Sequence, residues 1–189
     1  LTCPMGLISP GLINPHDHLG WTTSLPVPTD ERYGHRNEWR EGKNGRPEID
    51  YPRSNYAEEA VAWGELRMVF GGSTTILGEG GAKGLLRNLD EKENNGLGKA
   101  AVYNKTLPLG DYDGEMLAQG CDYPNMPSQS AVDKAIAYVP HVAEGVIQEA
   151  RNEFLCLSGL QEGGVDCTRD NAAFIHSVGL ATSDILDMV

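Results

Sequence analysis

Short apolar runs alternate along this chain with stretches of helical periodicity, and that alternation is the pattern of an α/β domain. The first run, residues 7–15, is apolar but broken by Pro10 and Gly11, and reads as a buried strand approached through a turn. Asn55 and Glu58 form a capping-box-like pair ahead of a helical stripe at Ala57, Ala60, Val61, Leu66, Val69 and Phe70, which Gly71 and Gly72 end. Residues 73–77 are β-branched and apolar, hence a strand, and they empty into a glycine-rich run at 78–84. A second helix is expected within 85–90, a strand over 100–107, and a short helix at 130–133 from its capping-box signal. A strand-like run over 135–142 precedes an amphipathic helix that begins at Ile147 and closes near Gly159. A short strand at 172–175 and a helix capped by Thr182 or Ser183 follow. No repeat or linker interrupts the series, so one domain is the simplest description.

Between residues 22 and 54 the pattern lapses into a polar stretch without strong periodicity, the kind of long loop that is usually functional or disordered. The 189 residues suffice for one globular core, and no apolar run approaches the length that crosses a membrane. A net charge of −12 argues against a nucleic-acid partner. Cys3, Cys121, Cys156 and Cys167 lack CxxC spacing, which disfavours zinc ribbons and thioredoxin-like chemistry; scattered free thiols are expected ahead of a disulfide. No signal peptide is visible, so the cytoplasm is the default compartment; export stays open because the chain starts at Leu1.

Four of the five histidines close strand-like runs. His16 and His18 flank Asp17 directly after the first run, and residues two apart in an extended chain project to one side. Both imidazoles can therefore meet one metal ion while Asp17 points elsewhere. His141 closes the run at 135–142 and offers a third ligand, with Glu144 three residues on as a carboxylate able to act as general base in a hydrolysis. His176 closes the last short strand. His35, among Arg32, Arg36 and Arg40, reads as solvated or as part of a substrate cover. In a parallel α/β barrel all strand C-termini open on one face, where such residues would gather.

These motifs resemble the amidohydrolase superfamily, in order and along nearly the whole chain. Residues 10–18 resemble its opening barrel motif and residues 72–76 its second-strand signature. Residues 140–144 resemble the fifth-strand motif of its deaminase and chlorohydrolase branch, and residues 175–180 its sixth-strand histidine. The resemblance implies a (β/α)8 TIM-type barrel, here incomplete, with about the first six strands. The family's flanking β-sandwich, its last two strands and the aspartate that completes its metal site would lie outside residues 1–189; Asp184 and Asp187, on the following helix, are expected to face away from the mouth. It also implies hydrolysis of a carbon–nitrogen bond, other than a peptide bond, in a small amide, amidine or aminated ring by metal-activated water. His16, His18 and His141 would bind one divalent metal, zinc first and iron second; Glu144 would shuttle the proton and His176 would orient the attacking group or polarise the substrate.

Two other readings stay open. A binuclear amidase, dipeptidase or phosphotriesterase-like hydrolase would use Lys105, on a candidate strand, as a carboxylated bridge. A fragment that retains its metal site without catalysis is the third. The glycine-rich run lacks the Lys-Ser/Thr step of a phosphate loop and reads instead as a substrate mouth with Glu79 or Lys83 as contacts. Trp21, Tyr33, Arg36, Trp39 and Tyr123, in the loops 22–54 and 111–130 or beside them, are candidates to stack on a ring or hold a carboxylate. The partner is a small molecule, neither nucleic acid nor membrane, with a homo-oligomer left open.

Overall fold

The computed structural model of the chain describes residues 4–78, 85–90 and 102–188. In chain order its elements are β1 (Leu12–Asn14), α1 (Arg36–Glu41), α2 (Glu58–Phe70), β2 (Ser73–Ile76), β3 (Arg87–Asn88) and β4 (Tyr103–Lys105). There follow α3 (Gln129–Lys134), β5 (Tyr138–Val142), α4 (Gln148–Leu157), β6 (Ile175–His176) and α5 (Thr182–Leu186). Where one domain is expected from the sequence, two compact units form, Leu1–Leu25 with Pro52–Ala101, and Pro26–Tyr51 with Val102–Val189.

The first unit is a parallel sheet in the order β1-β2-β3 beside α2. Helix α2 starts at Glu58, two residues later than Asn55 as N-cap would place it; Ala57 is the N-cap without a side-chain cap bond, and Asn55 Oδ1 accepts the Ala57 N–H at 2.9 Å. Glu58 and Glu59 in its first turn and Arg67 in its last suit the helix dipole. Ala60, Val61, Gly64 and Glu65 make its buried stripe, spaced by four as a helix face requires. Gly64 lacks a side chain because a Cβ there would strike Thr22 and Leu19. The core comprises Leu19, Val61, Ile76 and Leu86 with Met68 against it. Two expectations fail here. Within residues 85–90 no helix forms; Arg87–Asn88 make strand β3, drawn into the ladder by pairing of Thr75 with Arg87 and Ile76 with Asn88. Leu12 and Ile13 of β1 are exposed, not buried, since among the described residues nothing apolar covers them.

The second unit is a parallel sheet in the order β4-β5-β6. Central β5 is buried along its whole length, with Tyr103 paired to Tyr138 on one side and Val142 to His176 on the other. Helix α4 packs on it through Ala150, Phe154 and Leu157, joining a core that includes Leu109, Val132, Tyr138, Val142 and Cys167. Helix α3 forms where the sequence places it, but without the side-chain cap. Helix α5 is capped by the Asp184 carboxylate, which accepts the Ala181 N–H at 2.8 Å. Cys121 and Cys156 are joined in a disulfide with an Sγ–Sγ distance of 2.07 Å, against the expectation of free thiols; their sequence spacing carried no motif, and the pairing arises only because the 111–123 segment lies along α4. Cys167 stays a thiol, and burial pushes it up to about 11, which makes it inert rather than nucleophilic.

The incomplete TIM-type barrel is therefore not what the chain builds. A barrel wall needs an unbroken ladder of tilted strands, whereas β3 pairs only with β2 and β4 only with β5 among the described residues. Strands of two to five residues are also too short to form such a wall. Among the same residues, no helix is long and apolar enough to cross a membrane.

Candidate metal centre

Beyond β1 the chain stays in register with the end of β2. Leu77 N–H donates to Asn14 O at 3.0 Å, Asp17 N–H to Leu77 O at 2.8 Å and Leu19 N–H to Gly78 O at 3.0 Å. That extended path gives His16 and His18 a common side, and their rings meet edge-on at 4.8 Å between centroids. Asp17 goes the other way: Asn14 Nδ2 donates to its Oδ2 at 3.2 Å. Its Oδ1 accepts the His18 N–H at 2.8 Å.

In the second unit, His141 sits buried on β5 and its Nδ1 lies 3.4 Å from the Lys105 carbonyl oxygen on β4. A backbone carbonyl behind one ring nitrogen orients an imidazole and leaves the other nitrogen to act as a ligand. His176 pairs with Val142, so a regular strand would carry it to the face opposite His141. Its left-handed backbone, φ 69°, takes it out of that alternation, and its ring comes within 5.1 Å of that of His141. Glu144 follows Ala143, itself left-handed at φ 52°, and its Oε2 stands 3.6 Å from His176 Nε2. Left-handed non-glycine residues cost about 1 kcal/mol each and gather at functional sites.

His16, His18 and His141 form a group that could hold a metal ion. Neutral imidazoles suit zinc first and iron also, so the donor chemistry fits the metal implied by the sequence. Lys105 is on β4 as expected, and its ammonium lies 5.3 Å from the centre of the Tyr103 ring, a cation–π contact. Glu79 and Lys83 lie outside the described residues.

Several other side chains are not where the sequence suggested. His35 and Arg36 are fully buried, and the polar stretch that carries them folds into α1. His35 caps that helix: its Nδ1 accepts the Asn37 N–H at 3.1 Å, which leaves the proton on Nε2 to donate to Glu153 Oε1 at 3.0 Å. Arg36 does hold carboxylates, but the chain's own. Its guanidinium reaches Glu153 Oε2 at 2.9 Å and Asp111 Oδ2 at 2.8 Å. Burial opposes its charge, yet those two carboxylates win and raise its pKa above the ordinary value. Tyr123 is likewise core rather than mouth. Separately, Asp184 on α5 is buried in a two-bond ion pair with Arg151 of α4, both bonds at 2.8 Å.

Glu153 and Asp111 are residues that sequence reasoning missed. A clue existed in α4, where Glu153 falls between the apolar positions Ala150, Phe154 and Leu157 and so on the buried side. No protein-family model, curated protein or solved structure matches the chain.

Proposed function

We propose that this protein is a metal-dependent hydrolase that cleaves a carbon–nitrogen bond in a small amide, amidine or aminated ring, with kinship to the amidohydrolase superfamily in its motifs. The observation that carries this reading is that His16, His18 and His141 form a group able to hold a metal ion. The three imidazoles would hold one divalent ion, zinc before iron. When bound, such an ion supplies Lewis acidity that brings water ionisation towards neutral pH. The protein's own groups do the rest. Glu144, half-buried and reachable by solvent, takes the proton from the attacking water and delivers it to the departing nitrogen. His176, on the side of Glu144 and of the His141 ring, holds the carboxylate and donates to the developing charge on the substrate. The engagement of Lys105 with Tyr103 supports one metal over two.

Metal content of the purified chain tests this, beside a His16→Ala/His18→Ala double variant. About one equivalent of zinc or iron is expected and should be lost in the variant. A folded chain that takes up no metal would sink the proposal. Two equivalents, one lost on changing Lys105, would replace it with the binuclear form. Ammonia release from a panel of aminated rings, amidines and amides then separates a catalyst from a protein that only binds metal.

A further inference from the structure

The turn that carries Glu144 is tied down from three directions around Ala143. Ala143 N–H donates to Glu153 Oε2 at 2.9 Å. Its carbonyl accepts from both Val178 and Gly179 N–H at 3.1 Å, which binds the segment after His176 to the same residue. On the far side, Arg36 N–H donates to the Glu144 carbonyl at 3.0 Å, and Val146 N–H to Gly34 O at 2.8 Å. His35 bridges to Gly145 in the antiparallel sense. The left-handed φ of 52° at Ala143 persists because these bonds over-determine it.

Glu153 is the only side chain described as bonding this peptide, and it is itself fixed. Both its oxygens are occupied, by Arg36, His35 and Ala143, and Arg36 is clamped in turn by Asp111, which also accepts from Asn37 Nδ2 at 3.0 Å. One guanidinium between two carboxylates leaves an excess negative charge. The Ala143 N–H, the His35 ring and the Asn37 amide are the donors that disperse it, so the charge on Glu153 and the conformation of the turn are coupled.

We propose that Glu153, braced by Arg36 and His35, is a positioning residue that sets Glu144 and His176 through the Ala143 peptide. The assignment of roles to Glu144 and His176 rests on the hydrolase reading above; the mechanical part does not. A buried core ion pair without this role would stabilise the unit as a whole, and its loss would loosen all parts alike. A positioning residue is needed at one turn.

The test compares Glu153→Gln with Glu153→Ala and with Leu157→Ala, a packing defect in the same helix. Exchange of individual backbone amides is followed by NMR on the full chain, with zinc affinity and turnover measured alongside. In Glu153→Gln, exchange at Ala143, Val178 and Gly179 should quicken about tenfold or more relative to the core of α4. Turnover of any substrate found should drop about 10- to 100-fold in kcat, with KM and zinc affinity changed little. Leu157→Ala should speed exchange through the whole unit without that selective loss. Were Glu153→Gln to leave Ala143 as protected as before, or loosen the unit uniformly like Leu157→Ala, the positioning role would be overturned. If the unaltered protein turns over no substrate, the hydrolase reading fails on its own, and the amide pattern still decides whether Glu153 sets the turn. Should Glu153→Ala fail to fold, the isosteric glutamine variant decides alone.

Discussion

Glu65 in the first unit and Glu153 in the second are both helix carboxylates withdrawn from solvent, and the two are treated in opposite ways. Glu65 Oε2 accepts one long bond, 3.4 Å from Leu86 N–H, and Oε1 has no hydrogen-bond partner among the described residues. Burial accordingly raises its pKa. Glu153 has each oxygen engaged by a cation, a ring N–H or a peptide N–H. The first arrangement is a cost that the helix face tolerates; the second is a built network that fixes a turn. Burial alone does not distinguish them, and the bonding does.

The largest effect should come from breaking the built network. Arg36→Met leaves Glu153 and Asp111 buried without their cation and should cost about 3 to 5 kcal/mol in urea unfolding. A loss below about 1 kcal/mol would mean that water reaches these carboxylates and that the contrast with Glu65 is superficial. Next comes the disulfide, which closes a separation of 35 residues. Replacing Cys121 and Cys156 by serine should remove about 4 kcal/mol relative to the oxidised parent, while comparison with the reduced parent isolates the side-chain change. In the first unit, Leu19→Ala should cost about 2 to 3 kcal/mol, because the described core around it has few other members. If thermal melts show less, that core is already loose.

The smallest effect is also the one with the clearest sign. Glu65→Gln should stabilise the protein at neutral pH by about 1 kcal/mol, since it removes the charge that burial opposes. Glu65's pKa is raised in the folded state, so its contribution is intact below the ordinary carboxylate range and is lost as pH rises through the folded value. Asp184 runs the other way. The Arg151 bonds hold its pKa below the usual aspartate range, so its contribution is present above that range and lost as pH falls through the lowered value. Amide exchange should therefore show α2 tightening as pH falls from neutral into the carboxylate range, and α5 slackening only on further acidification, below the usual aspartate range. Movement of both helices in one direction would contradict the assignment.

How much of this was legible in the sequence depends on range. Elements set by local chemistry were readable: the α2 helix closed by Gly71, though of its expected stripe only Ala60 and Val61 are buried and Val69 and Phe70 are exposed, the β-branched run of β2, the α4 periodicity from Ile147. So was the shared side of His16 and His18, because alternation along an extended chain is a local rule. What depended on distant partners was not. Residues 87–88 join a ladder only because β2 offers an edge, and Cys121 finds Cys156 only through the packing of its loop on α4. His35 looked solvated, and Arg36 a contact for a substrate, because their carboxylates stand 75 to 118 positions away along the chain. The barrel expectation failed at the same scale: motif order says which strand ends carry histidines, but not that the ladders join into one wall. The left-handed turns at Ala143 and His176, on which the approach of Glu144 to His176 depends, left no mark in composition at all.

Those turns also restrict which residues substitution can accept there. Ala143 has no exposed surface and a positive φ, so a branched or bulky residue fails on both counts; only glycine, and with some strain asparagine, share its backbone preference. Two positions on, any Cβ at Gly145 would run into the Gly34 carbonyl. A saturation library across 143–145 should thus return a nearly closed alphabet at both flanks whatever trait is selected. Variation at position 144 alone would then report on chemistry rather than on folding.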